Sequence, residues 1–490
     1  MSFSFQKCLA LLAVCFAPGS MAMAANWYVA PGGDDLNTGM DAAHPFQTIG
    51  YAVGVAGGGD TIILEPGTYV NAGVDITLQP VVHPAISLTI MGSENSYGQP
   101  TSVIQGHADF VLRVTGSANG ADKFHCSNLK IENDPSYAYQ VMGAVVSLAE
   151  VTFDNCIFTS NGAGAMVHGV DMEGDVDGTF TNCKFLNLLG GNVSDGAAIF
   201  SYDETAGTHL NQVRIDGCEF DNVVAGSFSG AVSSYHGALE ITNSTFNACG
   251  YLGNQNFTGG AVYITAGCLY MTDCTFTECK AGMGGAVSVN SYPIQGNCAG
   301  QTTASITNCT FTNNTAEFGS ACLINDAAVE FWGTDFTNNT ATVKNDSTSP
   351  EHPDGLYFGG AVSLSSPSTA ATFSGCSLKN NIGGGIYSKM EGDGNEPWLI
   401  TGSIVCGWTT ATVAGFTGSG HHPKMDGTSS YTPSCATSAD LNQDGVIDIL
   451  DVMQVQEEAG LCAHDTDGDG ETDINDLLKV IEGWGSFCSP

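Results

Sequence analysis

Two twelve-residue stretches near the C-terminus place oxygen ligands at the spacing a calcium ion requires. The first carries Asp440, Asn442, Asp444, Val446, Asp448 and Asp451; the second carries Asp465, Asp467, Asp469, Glu471, Asp473 and Asp476. Ca²⁺ is a hard cation that takes roughly six to eight oxygens, and side chains at alternate loop positions plus one backbone carbonyl, here from Val446 or Glu471, can wrap one ion. Gly445 and Gly470 permit the sharp turn between the third ligand and that carbonyl. Each stretch runs into an apolar helical pattern: Ile449, Val452, Met453 and Val455 in one, Ile474, Leu477, Leu478 and Ile481 in the other. The pair predicts two bound Ca²⁺ ions. The plainer alternative is a pair of acidic, solvated turns.

A second constellation could act on sugar. Tyr202, Asp203 and Glu204 fall at the same place in one unit of a repeat as Tyr235 and His236 in the next. The two Tyr rings could stack on a sugar, with Asp203, Glu204 and His236 moving protons; the competing reading is a solvated turn beside a strand. His168, Asp171, Glu173 and Asp175 read as a polar loop between units. A complete catalytic motif is missing. A lyase needs a basic group to take the proton beside a uronic carboxylate, and Arg113 and Arg214 are the only arginines, neither within a paired motif. The Asn-Thr-Asp, Gly-His-Gly and Arg-x-Lys motifs of polygalacturonase-type hydrolases are absent, and Asp34-Asp35 sits in an N-terminal loop.

Asp at the last position of both calcium loops, with no helical run before Asp440, resembles a dockerin, the double loop-helix module that attaches secreted bacterial polysaccharide-degrading enzymes to cohesins. The resemblance spans about residues 435–488. It implies calcium binding and a cohesin-like partner. The loop positions that contact cohesin in that family hold Ile449-Leu450 and Ile474-Asn475 rather than small-hydroxyl or basic pairs.

What precedes this module repeats itself. Asn-Cys-x-Phe or a variant recurs at Asn155-Cys156-x-Phe158, Asn182-Cys183-x-Phe185, Gly217-Cys218-x-Phe220, Asn243-Ser244-x-Phe246, Asp273-Cys274-x-Phe276, Asn308-Cys309-x-Phe311, Gly333-Thr334-x-Phe336 and Gly375-Cys376-x-Leu378. It alternates with Gly230-Ala231-Val232, Gly260-Ala261-Val262, Gly285-Ala286-Val287, Ser320-Ala321-Cys322 and Gly360-Ala361-Val362. Self-similarity of this kind means a solenoid. Short strands broken by Asn and Gly, with no helix between, make it a stack of about a dozen β-coils roughly 4.8 Å apart. The Cys and the Phe two residues later share one side of a strand, so both are expected inside. The residue between them (Lys184, Glu219, Thr245, Thr275, Thr310, Asp335) is expected outside.

Upstream stand Trp27-Tyr28-Val29, a Gly/Asp/Asn loop, a helical spacing Phe46, Ile49, Ala52/Val53, Ala56, and then a strand ending in Pro66-Gly67-Thr68-Tyr69. This order resembles the opening of right-handed parallel β-helix proteins of the pectate-lyase-like superfamily. That resemblance implies an all-β, right-handed parallel β-helix plugged by a short helix near residues 46–56. A plug is needed because an open solenoid end exposes apolar core and unpaired strand edges. Similar repeats occur in β-helical bacterial surface proteins, which makes a non-catalytic adhesin or structural coat protein the rival reading.

Composition narrows the partners. Net charge is −38, with 12 Lys and Arg among 490 residues, which excludes nucleic acid as a partner and disfavours unassisted binding of acidic polysaccharides. Lys7, the apolar run Cys8–Ala17 and Ala22-Met23-Ala24 read as an export signal over residues 1–24, and no apolar stretch is long enough to span a bilayer. The expected order is signal (1–24), β-helix (25–425), linker (426–439) and calcium module (440–488), in a bacterial extracellular or cell-surface protein that meets polysaccharide or a surface glycan. The 18 Cys include no CxxC pair and no Cys/His metal spacing. Most are expected as buried thiols, with a disulfide among Cys435, Cys462 and Cys488.

Overall fold

The computed structural model describes residues 24–432, except 72, 79–86, 107–108, 118–121, 134–140, 161–165, 191–196, 203–210, 227–228, 252–258, 292–301, 343, 346–355, 358–359, 366–368, 383–384, 389–397, 402–403, 407–423 and 426–429. Three parallel sheets run along one axis. Sheet I has 14 strands, from Asn26–Val29 to Lys424–Met425; sheet II has 13, from Gly67–Asn71 to Ser430–Thr432; sheet III has 11, from Val74–Thr77 to Ile386–Ser388. Successive strands of the chain enter the three sheets in turn, so each circuit adds one coil: a parallel β-helix. Pairing continues to Thr432, reaching into the segment that the sequence suggests as a linker. The calcium module lies outside the described residues.

Register explains the repeated motif. Ile104, Ile131, Phe158, Phe185, Phe220, Phe246, Phe276, Phe311, Phe336 and Leu378 are successive partners in sheet II. The Phe rings from Phe158 to Phe336 are buried and stack face to face, with centroids 4.4–5.0 Å apart and planes within 4–7°. The coil pitch of about 4.8 Å imposes that spacing. The residue before each Cys turns the corner from sheet I to sheet II with a left-handed backbone: φ is 49° at Asn155, 52° at Asn182, 62° at Gly217, 50° at Asn243, 55° at Asp273 and 51° at Asn308. Gly, Asn and Asp are the residues that adopt this conformation most readily.

The Cys after each corner is buried, and its thiol lies 3.3–3.6 Å from one or two backbone carbonyl oxygens to which it can donate. Cys183 Sγ, for example, lies 3.4 Å from the Phe153 and Thr181 carbonyl oxygens. Where the row holds Ser244 or Thr334, the hydroxyl donates in the same way, to Thr242 at 2.7 Å and to Trp332 at 3.0 Å. The row thus selects a small donor rather than sulfur itself. Ten described cysteines are free and buried, and Cys268 is disulfide-bonded. Burial pushes the Cys183, Cys249 and Cys322 thiols up, so they pack as small apolar groups rather than nucleophiles.

A second interior row follows the corner out of sheet II. It begins with Leu188, Val223, Cys249 and Cys279 and continues as Asn314, Asn339 and Asn381, all buried. Asn314 Nδ2 donates to Asn339 Oδ1 at 2.9 Å, and Asn339 Nδ2 donates to Asn381 Oδ1 at 3.0 Å. Each amide also donates to a Phe carbonyl one coil back: Phe276, Phe311 or Phe336. The ladder satisfies its buried polar atoms along its length, the condition under which such a network stabilises.

At the start of the sheet III strands, Gly230, Gly260 and Gly285 have no room for a side chain. A Cβ on Gly260 would sit 1.7 Å from the Gly285 carbonyl oxygen, which accounts for the Gly-Ala-Val motif. The N-terminal end is closed by the helix Ile49–Val55, shorter than the expected 46–56, with Ile49 and Ala52 buried and Thr48 Oγ1 accepting from Tyr51 N. Asp35 anchors it by accepting from Gln47 N, Thr48 N and Thr48 Oγ1, so the Asp34-Asp35 pair serves the cap.

Candidate active site on the outer face of sheet III

Strand ends position the aromatic groups. Tyr202 and Tyr235 close two neighbouring strands, Ile199–Tyr202 and Val232–Tyr235, and are register partners. Glu173 pairs with Tyr202 on one side, and Thr265 pairs with Tyr235 on the other. Two residues back, the parallel row reads Asp171, Phe200, Ser233, Tyr263. Alternation sends Val170, Met172, Ile199 and Val232 into the core and the two rows outward.

The rings touch. Centroids lie 5.8 Å apart for Tyr202–Tyr235, 6.3 Å for Phe200–Tyr202, 5.8 Å for Phe200–Tyr235 and 5.5 Å for Tyr235–Tyr263. His236 comes within 6.4 Å of Tyr202, and His168 within 5.5 Å of Phe200. His236 reaches this place because it turns the corner with φ of 62° while its N–H donates to the Thr265 carbonyl at 3.1 Å. Phe200, Tyr202, Tyr235 and His236 are half-buried, so part of each ring faces solvent. Asp203 and Glu204 lie outside the described residues.

The segment expected as a polar loop is instead the strand Met166–Glu173. Its signal was the alternation Val170, Asp171, Met172, Glu173, with apolar residues in and acids out. Asp171 is 7% exposed, and its Oδ1 is buried with no hydrogen-bond partner among the described residues. Burial first, and the Glu173 charge second, raise its pKa to about 7. A buried carboxyl whose pKa is raised to about 7, beside half-exposed aromatic rings, is an arrangement found at functional sites.

This shift has a stability consequence. The folded chain holds the Asp171 proton more tightly than the unfolded chain, whose carboxyl has its ordinary pKa near 3.8. Its contribution is therefore most favourable below about pH 4, falls as pH rises towards 7, and is flat above. At about 1.4 kcal/mol per pKa unit, Asp171→Asn should stabilise the protein at pH 8 relative to pH 4 by about 4 kcal/mol, read from urea unfolding of both proteins at both pH values. An equal difference at the two pH values would show that Asp171 titrates normally.

Among the described residues, no group of three or more His, Cys, Asp or Glu could hold a metal ion, and no helix is long and apolar enough to cross a membrane. The calcium ligands Asp440, Asn442, Asp444, Val446, Asp448, Asp451, Asp465, Asp467, Asp469, Glu471, Asp473 and Asp476 lie outside the described residues.

Residues 112–299 match the family described as right handed beta helix region, and residues 31–174 match a protein family of unknown function, DUF1565. With the in-register parallel sheets, the first match makes the fold a right-handed parallel β-helix. No curated protein matches the chain. Solved structures similar to it include pectate lyase Pel9A (18% identity, TM-score 0.35, covering 64% of this chain and 75% of that one). Others are a GH136 lacto-N-biosidase from Eubacterium ramulus (10%, 0.45, 77% and 67%) and an alginate lyase from Paenibacillus sp. str. FPU-7 (17%, 0.37, 58% and 91%).

Proposed function

We propose that this chain is an exported β-helix protein that binds and acts on polysaccharide through the outer face of sheet III, and that a C-terminal dockerin-like module holds two Ca²⁺ ions and attaches it to a cohesin-like partner. The observation that carries the carbohydrate reading is the half-exposed ladder Phe200, Tyr202 and Tyr235, backed by buried Tyr263, beside Asp171. Half-exposed rings offer apolar faces to the C–H side of a sugar, while the Tyr hydroxyls and carboxyls serve its hydroxyls. Tyr202→Ala combined with Tyr235→Ala should weaken glycan binding at least about tenfold while leaving the fold intact, since each truncation removes a contact of about 1 kcal/mol or more. Glycan-array binding followed by calorimetry on the glycans that respond checks this. Unchanged affinity for every bound glycan would make the face ordinary surface.

For the C-terminal module, calcium and folding are coupled. About fifty residues bury too little apolar surface to fold comfortably alone. Four carboxylates around an empty loop repel one another, and an ion that binds only the folded form stabilises it by mass action. The isolated segment 436–488 should bind two Ca²⁺ by calorimetry and unfold with chelator. Asp440→Ala and Asp465→Ala should each weaken one site. Zero bound ions would make these loops acidic turns.

A further inference from the structure

We propose that the outer face of sheet I, between Tyr270 and Trp332, is a second glycan-binding platform, one that takes a neutral, ribbon-like polysaccharide lying flat across the coils. It is built on a different sheet from the Tyr202–Tyr235 face and uses no residue of it. Four neighbouring strands make the platform: Cys268–Thr272, Thr303–Thr307, Ala328–Trp332 and Ala370–Ser374. They pair in parallel, residue against residue, with no bulge, so the face is even. Alternation buries Leu269, Met271, Ile306 and Phe331 and sends Tyr270, Thr272, Ser305, Thr307, Glu330 and Trp332 outward.

Two large side chains rise from that even bed. Tyr270 is 51% exposed and Trp332 53%, although Trp is usually well covered in a folded chain. Register carries Tyr270 through Ser305 to Glu330, and Trp332 lies two residues further along the same strand as Glu330. The two backbones are therefore about 12 Å apart, two coils along the axis and two residues along the strand, a span that takes more than one sugar unit. The sheet III rings lean on one another. Among the described residues, by contrast, neither Tyr270 nor Trp332 meets another ring, and neither the Tyr270 hydroxyl nor the Trp332 indole N–H has a hydrogen-bond partner. Each offers an apolar face together with an unused polar group, the combination that suits the C–H face and hydroxyls of a pyranose.

Charge sets the class of ligand. The four strands contain one charged residue, Glu330, in a chain of net charge −38. The five sheet I strands before them, from Lys123–Ser127 to Ala238–Thr242, each carry charge. There Lys123 meets Glu150 at 2.6 Å and Arg214 meets Glu240 at 3.5 Å. The face thus turns from charged to neutral at Cys268. A uronate or sulfated chain finds no cation on these strands and meets Glu330, whereas a neutral chain leaves no charge of its own desolvated and unpaired. A flat chain can rest on both rings at once; a coiled one touches a single ring.

The test uses the full chain with cellohexaose and chitohexaose in solution and with microcrystalline cellulose and chitin, against polygalacturonate as the charged control. At least one neutral glycan should bind, more tightly than polygalacturonate, and its soluble form should shift tryptophan emission to the blue as it covers Trp332. Trp332→Ala and Tyr270→Ala should each weaken that binding at least about fivefold, with the melting temperature unchanged because both side chains face solvent. Trp332→Phe should hold the affinity within about threefold and lose the emission shift, which locates the sugar at this ring. Unchanged affinity in either Ala variant, an emission shift that survives in Trp332→Phe, polygalacturonate bound as tightly as the neutral glycans, or no binding to any neutral glycan overturns the proposal. The sheet III reading stands or falls on Tyr202→Ala with Tyr235→Ala, so the two faces fail separately.

Discussion

Asn339→Ala should destabilise the β-helix by about 4 kcal/mol, seen as an earlier urea midpoint for the coils around residue 339. The side chain takes part in four hydrogen bonds. Its Oδ1 accepts from Asn314 N at 3.0 Å and Asn314 Nδ2 at 2.9 Å, and its Nδ2 donates to the Phe311 carbonyl at 2.9 Å and to Asn381 Oδ1 at 3.0 Å. Truncation strips the Asn314 N–H and the Phe311 carbonyl of these partners in the interior, and each orphaned group costs about 1–3 kcal/mol; lost packing adds to that. Asn339→Cys should cost less, because the same row holds Cys249 and Cys279, whose thiols donate to the Phe220 and Phe246 carbonyls. If Asn339→Ala and Asn339→Cys unfold together, the ladder is not the source of the loss.

Phe276→Ala should cost a similar amount, about 3–5 kcal/mol. Phe276 is fully buried and stacked between Phe246 at 4.6 Å and Phe311 at 4.8 Å, and the coil pitch prevents those neighbours from closing the gap. Because each coil touches only the next, the cavity also weakens the coupling between the two halves of the stack. Denaturant unfolding should therefore split into two steps, whereas Phe276→Leu should keep one. A single transition with an unchanged midpoint in the Ala variant would show that the aromatic row is dispensable.

The aromatic row and the Cys row were legible because a motif recurring once per coil must occupy one place in the cross-section, and two residues apart means the same side of a strand. The cap helix was legible from Phe46, Ile49 and Ala52. The Asn ladder was written in the sequence as Asn313-Asn314, Asn338-Asn339 and Asn380-Asn381, but composition reads Asn as a turn residue. Only the three-dimensional row shows that the first of each pair turns the corner while the second fills the core. Likewise, Tyr202 and Tyr235 could be matched by position, whereas Asp171 was hidden. Glycines on either side and four polar residues within eight suggested a loop, and the burial that perturbs its carboxyl depends on neighbours from other coils.

The left-handed corners have one more implication. Each corner bonds to the same corner of the coils before and after it, as Asn155 N donates to the Thr181 carbonyl, Asn182 N to that of Asp216 and Asn243 N to that of Thr272. No coil holds a unique address. Removing residues 244–273 would join Asn243 to Cys274 and recreate Asn-Cys-Thr-Phe, setting Phe276 on Phe220. Length is thus an adjustable dimension of this molecule, set in steps of about 4.8 Å. The outer surface works as a ruler to which whole graduations can be added or removed without redrawing the rest.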